Sequence, residues 1–211
     1  MSSKSKLIIN CGATHISASE FGVSAGRLVL ESFQVQELKY DYSNQEEWLS
    51  ELAATLKMMR VSGKATVIAP SMLLLTKTIK IPHVDEARRA EVIQFEAEKN
   101  IPYPINEVSW DYEIISDDGV ETEIFLTSMK STAADDFCMA LSQAGVIPES
   151  IEASSILDYN AWKYCGLEND VILLNVGSRF TNLMIAREDG VFVRSIPVGG
   201  NSITQAVADS L

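Results

Sequence analysis

LIINCGATHISAS, residues 7–19, and ILLNVGSRFTNLMIA, residues 172–186, follow one plan: an apolar strand, Asn-x-Gly, a polar turn and a second strand. The two asparagines, Asn10 and Asn175, stand 165 positions apart. Apolar runs on both sides of a tight Asn/Gly turn spell a β-hairpin. A third strand follows each hairpin, at 27–35 in the first case and 191–197 in the second. A unit repeated at that distance, with helical stretches between, predicts two similar sheets facing one another in an α/β fold.

The intervening segments alternate in period. After Asn44, a suitable N-cap, Leu49, Leu52, Leu56 and Met59 recur every three or four residues, which predicts an amphipathic helix with Gly63 just past its end. Residues 65–69 and 73–81 read as strands. DEARRAEVIQFEAEKN, residues 85–100, is helical with Ala90, Ile93 and Ala97 on one face, and Pro82, Pro102 and Pro104 stop it at both ends. Residues 108–116 and 122–128 read as a hairpin across Asp117-Asp118-Gly119. A helix at 132–144 completes a small α/β lobe. Residues 146–152 read as extended, and 155–165 as a connecting helix ended by Gly166.

The chain has 211 residues, 46% of them apolar, which is enough for a packed core. Its net charge of −12, from 17 basic and 29 acidic residues, argues against broad binding to nucleic-acid phosphates. Residues 85–123 hold twelve acids against three bases, so most of that charge belongs to the small lobe. Such a run reads as a solvated face or as a field that steers a basic partner segment. No apolar run reaches the roughly 18 to 20 residues of a membrane span. Asn10 interrupts the short apolar run at 7–9, so export is not expected. Cys11, Cys138 and Cys165 are odd in number and scattered, indicating neither a disulfide framework nor a zinc site.

A P-loop is excluded, because Gly63-Lys64 is followed by Ala65 and Met58 stands where its first glycine belongs. GxGxxG, GxSxG and HExxH are all missing, and His15 and His83 are the only histidines. The repeated Asn-x-Gly turns are the remaining chemistry. Exposed backbone N–H groups and small side chains let a phosphate approach closely, and two such turns in equivalent positions suit a nucleotide cleft. Gly199-Gly200, leading into a helix, reads either as a second anion approach or as a flexible turn.

Two longer stretches carry a family resemblance. IPHVDEARRAEVIQFEAEKNIPYPINEVSWDYEII, residues 81–115, has a proline before an acidic helix, an Ile-Pro-aromatic-Pro step and an Asp-Tyr strand. NVGSRFTNLMIAREDGVFVRSIPVGGNSIT, residues 175–204, has an Arg before a Gly-Gly-x-x-x-Thr turn. Together they resemble the actin-like ATPase superfamily and, within it, the PilM family of type IV pilus assembly proteins, relatives of the FtsA division proteins.

That resemblance implies an actin-like, ribonuclease-H-like α/β core with an inserted small α/β lobe and the start of a second core lobe. The expected divisions are 1–82 for the first core lobe, 83–150 for the insert, 151–170 for the connector and 171–211 for the incomplete second lobe. It implies a cytoplasmic protein at the inner face of the inner membrane. There it would hold the N-terminal cytoplasmic tail of a PilN-like membrane protein in a groove between core and insert, alongside other pilus platform proteins. Its first phosphate motif falls on Asn10, Gly12, Ala13 and Thr14. The second falls on Asn175, Gly177, Ser178, Thr181 and Asn182, followed by Gly199, Gly200 and Thr204. The implied cofactor is ATP, with magnesium weak or absent, because the family carries Asp where this chain has Asn10 and Asn175, and Lys where it has Ser17. Loss of two carboxylates weakens metal binding and metal-assisted hydrolysis. The expectation is therefore an adaptor without turnover. An assembly ATPase and an FtsA-like division protein are the alternatives. Uncovered apolar residues between 171 and 197 also suggest a homo-oligomer.

Overall fold

A computed structural model describes residues 5–40, 44–166, 170–188 and 190–211. The first hairpin extends into an antiparallel meander of β1 (Lys6–Cys11), β2 (His15–Ser24) and β3 (Arg27–Glu37). β4 (Gly63–Ala69) runs parallel to β1, and β8 (Val146–Ala153) parallel to β4, giving a sheet of order β3-β2-β1-β4-β8.

Helix α1 (Gln45–Met59) starts where Asn44 Oδ1 accepts from the backbone N–H groups of Glu46 at 3.0 Å and Glu47 at 3.3 Å. Its left-handed cap is Arg60, at φ 57°, whereas Gly63 already belongs to β4. Trp48, Leu52 and Leu56 are fully buried on the face that meets Ile9, Ile16 and Val67 of the sheet. Helix α3 (Ser131–Gln143) lies beside α1, with the Phe137 ring stacked on Trp48 at 5.9 Å between centroids.

The inserted sheet is β5 (Leu75–Pro82), β7 (Glu121–Lys130) and β6 (Val108–Asp117), in that order, backed by α2 (Glu86–Asn100). Ile93 and Ala97 of α2 are buried on it. Sheet membership departs from the expected insert of 83–150. β5 begins after a 3₁₀ turn at Ser71–Leu73 and pairs with β7, while β8 joins the large sheet and α3 packs against α1 and β8. The physical reason is long-range pairing: Phe137 and Leu141 bury against α1, and Ile151 registers with Val67.

The second repeat forms β9 (Val171–Val176), β10 (Thr181–Arg187) and β11 (Gly190–Ile196), an antiparallel sheet of order β11-β10-β9. Helix α4 (Ser154–Cys165) covers one face through Ile156, Tyr159 and Trp162 against Met184, Val191 and Val193. Ile172, Leu174 and Val176 remain exposed, as does the final helix α5 (Gly200–Asp209). The end of the expected connector, 167–169, lies outside the described residues. Trp48 and Trp162 are core residues, and Trp110 is half-buried beside Tyr112.

Candidate functional site

Both Asn-x-Gly turns close in the same way. Gly12 N donates to His15 O at 2.9 Å, and Gly177 N donates to Phe180 O at 2.9 Å. A Cβ at Gly12 would stand 2.7 Å from His15 O, and one at Gly177 3.0 Å from Phe180 O, so the tight closure needs glycine for space.

The carbonyls of the first turn are taken up by the protein. Trp48 Nε1 donates to Gly12 O at 3.3 Å, the Tyr40 hydroxyl to Ala13 O at 2.6 Å, and Leu38 N to Thr14 O at 2.8 Å. Thr14 Oγ1 bonds His15 Nδ1 at 2.9 Å. The second turn is treated likewise. Gly200 N donates to Gly177 O and Asn201 N to Ser178 O, each at 2.9 Å. Gly199 packs so closely on this turn that a Cβ there would lie 2.5 Å from Gly177 O. Turns whose acceptors are already engaged suit an anion.

The turns face one another across a cleft of about 250 Å³ lined by Asn10, Gly12, Ala13 and Thr14 on one side and Asn175, Gly177, Ser178 and Asn182 on the other. Ser71, Ser154 and Arg179, which no sequence motif marked, complete the wall. Thr181, Gly199, Gly200 and Thr204 do not line it. Thr181 Oγ1 donates to Val198 O at 2.7 Å, and the first amides of α5 are spent on the second turn, so they are not available to an anion. Asn182 is buried: its Nδ2 donates to Ser154 Oγ at 2.7 Å and its Oδ1 accepts from Ser71 Oγ at 3.2 Å. It fastens the second hairpin to the floor of the cleft.

Asn175 Nδ2 donates to Asp158 Oδ1 at 3.0 Å and Oδ2 at 3.2 Å. Burial pushes the Asp158 carboxyl above its ordinary range, and the Asn175 amide partly offsets this. Burial also pushes the Cys11 thiol far up, so this cleft residue is no nucleophile. The cleft is smaller than the ~300–1,000 Å³ of typical small-molecule pockets and has room for a group of phosphate size. Among the described residues no group of three or more His, Cys, Asp or Glu side chains is placed to hold a metal.

A second groove, of about 120 Å³, separates the inserted sheet from the core. Asp111, Tyr112 and Glu113 of β6, Phe125 of β7, Glu152 of β8 and Ile156 of α4 line it. β6 and β8 are the edge strands of their sheets. The groove is therefore acidic, partly aromatic and bordered by two strands with a free edge each. On another side of the insert, Glu123 is buried and accepts from Val191 N at 3.0 and 3.2 Å through its two oxygens, tying β7 to β11.

The fold is shared with solved structures. A chain of the PilM-PilN type IV pilus biogenesis complex matches at TM-score 0.79 and 21% identity, over 98% of this chain and 65% of that one. The present chain thus spans just under two thirds of that relative. A Bacteroides thetaiotaomicron protein with an actin-like ATPase fold matches at TM-score 0.56 and 8% identity, over 98% of this chain and 75% of that one. The cytoplasmic domain of EpsL, an inner-membrane component of the Vibrio cholerae type II secretion system, matches at TM-score 0.51 and 9% identity, over 90% and 71%. None of the curated proteins matches in sequence. The expected α/β architecture of an actin-like core with an insert agrees with these neighbours. Residues 9–211 match the family described as type IV pilus assembly protein PilM, and with the two facing turns and the inserted sheet in place, the chain belongs to that family.

Proposed function

We propose that this chain is a noncatalytic adaptor of a type IV pilus or related secretion platform, gripping the N-terminal cytoplasmic tail of a PilN-like membrane protein. The observation that carries the reading is the groove between β6 and β8. Two free strand edges offer backbone donors and acceptors to an extended peptide. Asp111, Glu113 and Glu152 attract its basic residues, and Tyr112, Phe125 and Ile156 supply apolar contact. The PilM-PilN complex, matched over 98% of this chain, supports the choice of partner. The adaptor would work at the inner face of the inner membrane, held there by its partner and meeting other platform proteins. Among the described residues no helix is long and apolar enough to cross a membrane.

The facing turns favour a second property, weak binding of ATP through its phosphates. Asn10 and Asn175 put no carboxylate of their own into the cleft, which supports binding without turnover. Isothermal titration with a synthetic PilN-type tail and, separately, with magnesium-ATP tests both readings. Tail binding should weaken about tenfold, ~1.4 kcal/mol, in Glu113→Lys. Unchanged tail affinity in Glu113→Lys and in Glu152→Lys would remove the groove from the reading. ATP hydrolysis above a no-protein control would replace the adaptor with an assembly ATPase.

A further inference from the structure

β3 is the outer strand of the large sheet, eleven residues long and paired, among the described residues, with β2 only. A long open edge is a template for another strand, and folded proteins blunt such edges with charge or proline. Three other edges are treated so: β5 carries Lys77, Lys80 and Pro82, β6 carries Asp111 and Glu113, and β8 carries Pro148 and Glu149. β3 has charge at its two ends, Arg27 and Glu37, and one acid between them, Glu31. The Glu31 carboxylate folds back over β2, where a Cβ at Gly22 would collide with it. The middle of this edge is therefore clear of charge. Its register also gathers the apolar side chains. Glu20 pairs with Ser32 but Phe21 with Leu30, which makes Glu31 the extra residue of a bulge. Side chains alternate along a strand, so without the bulge Leu28 and Leu30 would oppose Phe33 and Val35. With it all four stand exposed on one face, the face turned away from α1.

We infer that this edge is an interface for a second copy of the chain, with β3 paired antiparallel to its own copy about a two-fold axis at Ser32. A two-fold axis perpendicular to the sheet keeps the apolar faces of the two copies side by side, whereas one along the strand would set that face against Gln34 and Gln36. With the axis at Ser32 and Glu31 bulged out of each ladder, Leu30 stands opposite Phe33 of the second copy and Leu28 opposite Val35, all on the shared face. Arg27 of each strand comes within one position of Glu37 of the other, so the end charges are complementary. The protein's own acidity lies elsewhere. Twelve acids fall in residues 85–123, and that insert meets the large sheet at β8, the strand farthest from β3. The joined sheet therefore carries β8, with its groove, at both outer ends.

The test is sedimentation equilibrium over a concentration series, on the chain and on variants each checked for folding by circular dichroism. The parent chain should approach the mass of a dimer. Leu30→Lys with Phe33→Lys sets like charges across the axis twice and should weaken association about tenfold, while Leu30→Lys with Phe33→Glu makes both pairs opposite in charge and should regain it. In a Cys138→Ser, Cys165→Ser background, Ser32→Cys should cross-link to a dimer on oxidation and Gln36→Cys should not, because only position 32 meets its own copy. A chain that stays monomeric throughout and gives no Ser32→Cys cross-link overturns the inference. So does a dimer that the two lysines leave intact and that Ile172→Lys with Leu174→Lys abolishes, which would assign association to the exposed face of β9.

Discussion

At the scale of single residues, Asn182 shows how a motif position can hold a structural task. Its amide uses both ends, one on Ser154 and one on Ser71, and so joins β10 to α4 and to the turn after β4. Replacing it with Ala leaves two hydroxyls facing a small void. The expected cost is about 1–3 kcal/mol, read from the midpoint of urea unfolding. A loss well under that range would mean the two serines find other partners. Ser71 and Ser154 were illegible in the sequence because a serine carries no spacing signal. Asn175, Gly177 and Ser178 were legible because a tight turn demands small and amide-bearing residues in fixed order. Asp158 could not have been foreseen, since its meaning arises only where α4 crosses β9.

At the scale of elements, the β6–β7 hairpin rests on its acidic turn. Asp118 Oδ1 accepts from Val120 N at 2.8 Å and Glu121 N at 2.7 Å, and Asp117 Oδ1 accepts from Gly119 N at 3.1 Å. These backbone bonds hold both carboxyls below their ordinary range. A lowered carboxyl stabilises the fold above its unfolded value of about 3.9, and the contribution is lost as pH falls through the lower folded value. Exchange of the Val120 and Glu121 amides, corrected for intrinsic rates, should therefore accelerate below about pH 4. The double variant Asp117→Asn, Asp118→Asn keeps the acceptors but cannot ionise, and its exchange should lack that acid step. The turn itself was readable from Asp-Asp-Gly. The membership of β5 was not, because strand propensity does not name the partner strand.

At the scale of the whole molecule, the insert is tied to the second sheet through Glu123. Its carboxylate binds Val191 N, and Gly190 leaves the room, since a Cβ there would lie 2.9 Å from Glu123 Oε1. Glu123→Ala leaves that backbone N–H without the carboxylate and should cost about 1.5–3 kcal/mol. Because the bond joins two sheets rather than strands of one, the loss should also appear as earlier proteolytic cleavage between them than in the parent chain. A single cooperative unfolding step of undiminished midpoint would show that the contact of β5 with β11 and the apolar cluster around Phe125 hold the sheets together without it.

By itself the sequence determined the local parts: the two Asn-x-Gly hairpins, the helix begun at Asn44, the proline-fenced α2 and the acidic turn. Each of these follows from periodicity and from residues whose backbone preferences act within a few positions. Only the tertiary structure decided that α3 and β8 leave the insert for the core, that the amides of α5 turn toward Gly177 and Ser178, and that Asp158 stands behind Asn175. Those outcomes depend on which apolar faces bury one another across long loops. That is a matter of complementary shape and hydrogen-bond satisfaction, to which no short stretch of sequence is sensitive.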